Sequence, residues 1–174
     1  MLKLHQLILT FFYFGKFSKA PGTIGSLAAL IFWFFTNRYF YYSDISFAAQ
    51  NLYWTIFLIA IFLYGCFFIR TYTKQFRQID HQTIVLDEVL GQILALQLTF
   101  LLLREDYFSQ NYLIAVHLLF CFISFRFFDI TKPSIIGLAD RVKTGFGVML
   151  DDLLCGIVTA ILGTIIFYFW NFLT

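Results

Sequence analysis

The stretch "GVMLDDLLCGIVTAILGTIIFYFWNFL" (147–173) is an apolar run long enough to cross a bilayer, with two adjacent carboxylates, Asp151 and Asp152, at its mouth. A transmembrane helix needs about 20 apolar residues, so this segment alone sets the chain among integral membrane proteins. The composition agrees. The 174 residues are 60% hydrophobic, 22% aromatic and 13% charged, with a mean hydropathy of +0.80, whereas soluble domains are about half apolar and about a quarter charged.

Working back from that run, apolar segments recur at 24–43, 51–69, 88–103 and 111–128, which with 152–173 makes about five spans. The 24–43 segment carries Thr36, Asn37 and Arg38 near its far end, and 88–103 is short and holds Gln92 and Gln97. Short or polar spans of this kind pack inside a bundle or tilt little. The first stretch, "LILTFFYF" (7–14), is too short to span and predicts an interfacial or re-entrant helix. Two prolines and ten glycines leave no flexible linker, and there is no internal repeat. The expected fold is all-α: a polytopic membrane bundle forming one domain over 1–174.

Cytoplasmic loops carry the excess of Lys and Arg. Lys3, Lys16, Lys19, Arg70, Lys74, Arg77, Arg126, Lys132, Arg141 and Lys143, ten of the twelve basic residues, fall on one side of this layout; Arg38 and Arg104 fall on the other. The N-terminus is therefore expected inside and the C-terminus outside. The acids, not used to build the layout, follow it. Asp80, Asp87, Glu88, Asp129, Asp140, Asp151 and Asp152 gather on the cytoplasmic side, leaving Asp44, Glu105 and Asp106 outside.

Other classes recede on the same grounds. A net charge of +2 with dispersed basic residues does not suit a nucleic-acid partner. Cys66, Cys121 and Cys155 lie in apolar segments without metal-ligand spacing and read as packed thiols; His117 reads as a packed, hydrogen-bonded residue. Lys16, Lys19 and Pro21 make a poor cleavage context after the first apolar stretch, so the N-terminus is expected to be uncleaved.

Asp87 and Glu88 open the third span and Asp151 and Asp152 the fifth, where carboxylates can simply cap helix N-termini. Two such pairs with Asp129 at one membrane level are costly and mutually repulsive, and call for cations. Hard oxygen ligands in that number suit Mg²⁺, which keeps waters that a phosphate can replace. Arg126 lies three residues before Asp129 and Lys132 three after it, so a continuing helix would put all three on one face. That face either forms a local salt-bridge chain or holds a phosphate, with Arg as fork and Lys as point charge. Glycines in "TGFG" (144–147) and "APGTIGS" (20–26) sit at the same interface. Their backbone N–H groups can cradle an oxyanion, or Gly22 and Gly25 can form a turn and close helix packing with Ser26 as N-cap.

Four motifs, "PGTIGSLAA", "IVLDEVLG", "FRFFDITKP" and "GFGVMLDDLLCG", in this order and at about this spacing, resemble the A-type phosphatidylglycerophosphatases over roughly residues 14–165. The resemblance implies a Mg²⁺-dependent, multi-pass enzyme of the bacterial inner membrane. It would hydrolyse phosphatidylglycerophosphate to phosphatidylglycerol and inorganic phosphate at the cytoplasmic face, without an obligate protein partner. In this reading Asp129, Lys132, Arg126 and Asp152 are catalytic. Gly22, Thr23, Ser26, Arg126, Lys132, Arg141, Gly145 and Gly147 bind substrate, and Asp80, Asp87, Glu88, Asp129, Asp151 and Asp152 hold metal. The chain departs from the family at Ser134-Ile135-Ile136, where Trp-Pro-Ile is common after Lys-Pro, and at Thr144, where a further Gly is common. Neither change removes a charged group. Attack by water and attack by an Asp nucleophile are both compatible with these residues. The alternative function is a small cation-coupled transporter, which places acids mid-span or between inverted repeats; here they lie at helix mouths on one side.

Overall fold

The computed structural model describes residues 2–16, 19–73, 83–103 and 107–173, and among these there are seven α-helices: α1 (Leu2–Leu9), α2 (Pro21–Tyr42), α3 (Phe47–Thr73), α4 (Leu86–Leu103), α5 (Asn111–Thr131), α6 (Ile135–Asp140) and α7 (Gly145–Leu173). By length and composition α3, α5 and Gly145–Phe169 of α7 are membrane-span candidates. Polar side chains on the helices are made compatible with an apolar setting by bonding back one turn. Thr36 donates to the Phe32 carbonyl, Asn51 to Phe47, Thr55 to Asn51 and Thr131 to Phe127, at 2.7–2.9 Å.

The position of α4 accounts for its mixed composition. It packs against α2, α3, α5 and α7, and Val89, Leu90, Ile93, Ala95, Leu96 and Phe100 are all buried. A helix surrounded by protein needs no continuous apolar face, so Gln97 and Thr99 are tolerated where they find partners. Trp33 Nε1 donates to Gln97 Oε1 at 2.8 Å, and Gln97 Nε2 donates to Asn51 Oδ1 at 3.0 Å. Thr99 Oγ1 lies 2.6 Å from His117 Nε2, and Tyr107 Oη lies 2.8 Å from His117 Nδ1. His117 is thus the packed, hydrogen-bonded residue expected. These bonds pin α2, α3, α4 and α5 together at the end of the bundle away from the acids.

Glycines set the spacing of α4 and α7. A side chain at Gly156 would run into the Gly91 carbonyl, and one at Gly91 into the Asp152 carbonyl and the Phe125 ring, so the two backbones meet as small-residue membrane helices do. Gly65 of α3 similarly accommodates Met149.

The 7–14 stretch is α-helical only to Leu9. α1 lies on α3, with His5 Nδ1 2.7 Å from Tyr64 Oη and its ring stacked 4.6 Å from Phe68. The chain then reverses through Phe11, Phe12 and Tyr13 at φ values of 41°, 56° and 68°, a left-handed run that is uncommon for bulky residues. Val85 N–H donates to Leu9 O at 3.0 Å, tying this reversal to the entry of α4.

The largest boundary shift concerns the last span. α7 begins at Gly145, seven residues before the span expected from 152, because Asp151 and Asp152 interrupt the apolar run without interrupting the helix. Asp151 and Asp152 therefore sit in the second turn. The orphan N–H groups of a helix belong to its first four residues, so these two acids do not cap α7.

Candidate active site

Four helix ends meet around the acids: the N-terminal ends of α2, α4 and α7 and the C-terminal end of α5, with α6 alongside. They enclose a cavity of about 110 Å³ lined by Asp87, Glu88, Asp129, Lys132, Asp140, Lys143, Val148, Asp151 and Asp152. Six carboxylates thus face Lys132 and Lys143, with Arg126 adjacent.

The site divides into two parts. On one side Asp87 and Glu88 of α4 and Asp152 of α7 each offer a carboxylate oxygen, and the three oxygens lie within 4.8 Å of one another. Glu88 Oε2 and Asp152 Oδ1 are buried without hydrogen-bond partners among the described residues. Buried anions brought together in this way are stable only with a compensating cation, and an all-oxygen donor set is the kind that holds Mg²⁺ or Ca²⁺. The trio is therefore a candidate metal group.

On the other side stand the cations. Arg126 is paired with Asp129 one turn along α5, as the i, i+3 spacing predicts. Lys132 does not continue that face. α5 ends at Thr131, and Lys132 caps it in the left-handed conformation (φ 43°, ψ 56°) immediately before Pro133. The turn swings Lys132 Nζ away from Asp129 to bridge Asp140 of α6 and Asp151 of α7, the latter at 2.7 Å. Burial works to lower the ammonium's pKa, but the hydrogen bonds to Asp140 and Asp151 outweigh it and hold it above the usual lysine range. The bond from Lys132 holds the Asp140 carboxyl below its usual range. Both groups are charged at neutral pH.

The expected site residues sort accordingly. Asp87, Glu88, Asp129, Lys132, Asp151 and Asp152 line one cavity. Gly22 is at its edge: a side chain there would strike Glu88 Oε1 and both terminal nitrogens of Arg126. Thr23 is half-buried next to it. Ser26 is fully buried and donates to the Gly22 carbonyl at 2.9 Å, inside α2 and not at its N-cap, which is Ala20. Gly25 makes room for Val85, and Gly145 for the Gly65 and Cys66 carbonyls. Gly147 N–H is taken by Thr144 Oγ1 at 3.1 Å. These glycines serve close packing and capping, and none has a positive φ. Arg141 is exposed and does not line the cavity. Asp80 lies outside the described residues.

Asp140 and Lys143 were not among the expected site residues. The sequence signal for Asp140 is its membership of the cytoplasmic acids; nothing in its eight-residue separation from Lys132 marks a pair, because the intervening Pro133 turn decides the geometry.

Comparison with known proteins follows the same motifs. Residues 7–167 match the family described as Phosphatidylglycerophosphatase A. Phosphatidylglycerophosphatase A of Haemophilus influenzae is 32% identical over 157 residues, covering 90% of this chain and 84% of the relative. Phosphatidylglycerophosphatase A of Escherichia coli is 31% identical over 141 residues, covering 80% and 70%. A Bacteroides thetaiotaomicron protein with the provisional name phosphatidylinositol-3-phosphatase is 33% identical over 156 residues, covering 90% and 89%. No solved structure gives a significant match.

Proposed function

Because the chain belongs to the phosphatidylglycerophosphatase A family, we propose that it hydrolyses the phosphomonoester of phosphatidylglycerophosphate to give phosphatidylglycerol and inorganic phosphate. The observation that carries this reading is a carboxylate trio sharing one cavity with Lys132, with Arg126 adjacent and paired to the cavity-lining Asp129. Acids at helix mouths suit a phosphate held just outside the hydrocarbon while the acyl chains stay in the bilayer.

Asp87, Glu88 and Asp152 would hold Mg²⁺, with Asp129 and Asp151 as further carboxylates within reach of the cavity. Bound Mg²⁺ supplies neutralisation of the phosphate oxygens. Arg126 and Lys132 take those oxygens through charge-assisted hydrogen bonds, and Asp129, left by Arg126, orients the attacking water. Hydrolysis breaks the bond from phosphorus to the glycerol oxygen, joins a water oxygen to phosphorus and returns a proton to the alcohol. Attack by an Asp carboxylate gives the same products; a burst of phosphatidylglycerol ahead of phosphate marks that route.

We read residues 1–174 as one domain with five spans, α2, α3, α4, α5 and α7, in the bacterial inner membrane. α2 and α4, of 22 and 18 residues, extend about 33 and 27 Å, close to a hydrocarbon core about 30 Å thick. Ten of the twelve basic residues gather on the side of the acids, which supports a site facing the cytoplasm. Single cysteines introduced at positions 80 and 140 are expected to react with cytoplasmic reagents, and one at 106 with external reagents. Labelling of all three from one side would overturn the five-span layout.

Phosphate release by the purified protein tests the activity. Phosphatidylglycerophosphate is expected to be hydrolysed faster than phosphatidylinositol-3-phosphate or phosphatidic acid, with activity lost to a chelator and restored by Mg²⁺. Full activity in chelator would remove the metal from the mechanism. Preference for phosphatidylinositol-3-phosphate would reassign the substrate toward the one in the Bacteroides relative's name.

A further inference from the structure

Lys143 stands in the turn between α6 and α7, and it is exposed to solvent and yet lines the cavity of the acids. A side chain with both properties is at the mouth. Its bonding also sets it apart from the other two cations of the site. Arg126 is paired with Asp129, and Lys132 with Asp140 and Asp151. Lys143 forms no ion pair among the described residues, and its ammonium donates to the Asp140 carbonyl at 3.3 Å. Asp140 therefore holds two ammonium groups, Lys132 on its carboxylate and Lys143 on its backbone oxygen, the first partly buried and the second exposed. One carboxylate serves both, which leaves the outer ammonium able to take a further anion.

The size of the cavity says which anion that is. At about 110 Å³ it is small beside the roughly 300–1,000 Å³ of sites that enclose a whole ligand. It suits a phosphomonoester and leaves the rest of a lipid headgroup at the mouth. In phosphatidylglycerophosphate the next charged group is the phosphodiester, one glycerol away, which joins the headgroup to the acylated glycerol. Exposed apolar side chains lie on both sides of Lys143 in the chain, Leu138 and Val142 before it and Phe146 after it. A lysine among such residues can lay its stem along the apolar surface and keep its ammonium among the headgroups.

We propose that Lys143 is a specificity-determining residue that binds the phosphodiester of the lipid while the phosphomonoester occupies the cavity. The site then selects lipids that carry both groups over phosphatidic acid, which carries the monoester alone. The proposal rests on the phosphatase reading above and adds the second phosphate to it. Phosphatidylinositol-3-phosphate also has both groups, so the selection holds for either of the two substrates. Lys143 touches no reacting atom, and it acts on binding of substrate and transition state alike.

The test measures phosphate release by the full chain in detergent micelles with Mg²⁺, from phosphatidylglycerophosphate and from phosphatidic acid of the same acyl chains. Lys143→Met is expected to raise KM for phosphatidylglycerophosphate about 10-fold at little-changed kcat, the low end for a charge-assisted hydrogen bond because the ammonium is exposed. Its kcat/KM for phosphatidic acid should match the parent. Phosphatidylglycerol, which keeps the diester and lacks the monoester, should inhibit the parent about 10-fold more strongly than the variant. Lys143→Arg, which keeps the charge, should restore the parent KM. Lys143→Gln, which keeps a donor for the Asp140 carbonyl and loses the charge, should behave as Lys143→Met and decides the matter if that variant does not fold. An unchanged KM, or an equal loss on both lipids, would overturn the diester role and leave Lys143 as a general counter-charge to the acids, with the phosphatase reading intact. A parent that releases no phosphate from phosphatidylglycerophosphate or phosphatidylinositol-3-phosphate would overturn both.

Discussion

Replacing Lys132 by methionine is expected to lower phosphate release by about 10²–10³-fold, the scale found when one preorganised charge-stabilising donor is removed, while the protein remains folded. Lys132 bridges Asp140 and Asp151, so the change also strands two carboxylates. Breaking a fully buried pair costs about 3–5 kcal/mol. The Lys132 side chain is 30% exposed and that of Asp140 35%, so solvent screens part of the loss and the cost should fall below that range. Adding Asp140→Asn to Lys132→Met removes one stranded charge. The double variant should recover melting temperature and recover no turnover, the non-additivity that separates a structural contact from a catalytic one. Rate and stability falling and returning together would instead leave Lys132 as a strut between α6 and α7.

Asp152→Asn is expected to separate the same two quantities in the opposite direction. Asp152 is 3% exposed, with Oδ1 unbonded among the described residues and an oxygen within 4.8 Å of those offered by Asp87 and Glu88. Such a group destabilises the fold unless a cation is present, and it is retained for function at the expense of stability. Without metal the variant should melt at or above the parent; relief of about 1 kcal/mol corresponds to about 2–4 °C in a chain of this size. Turnover in saturating Mg²⁺ should fall by more than about 10²-fold, because the electrostatic contribution of the metal site is removed with its ligand. A variant that is less stable in chelator and keeps its rate would show that Asp152 is a packing residue.

Membrane residence, the all-helical architecture and the gathering of acids at one face follow from one-dimensional patterns: apolar run length, the placement of Lys and Arg, and motif spacing. Each needs only local chemistry, since a bilayer requires every backbone group to be bonded within its own segment and so leaves helices as the natural spanning element. The i, i+3 pairing of Arg126 with Asp129 was legible for the same reason, because it is contained in one helix. Pairings between helices were not. The left-handed turn at Lys132 sent its ammonium to Asp140 and Asp151, and a single backbone conformation there outweighs any spacing rule. The narrowing of many acids to Asp87, Glu88 and Asp152 depends on α4 and α7 meeting at Gly91 and Gly156. Residues 145–151, ahead of the span expected from 152, belong to α7, which moved Asp151 and Asp152 from a cap to a buried wall. Hydropathy and charge along the chain set which groups reach the membrane face; the close approach of helices, set by small residues and one constrained turn, decided which of them touch.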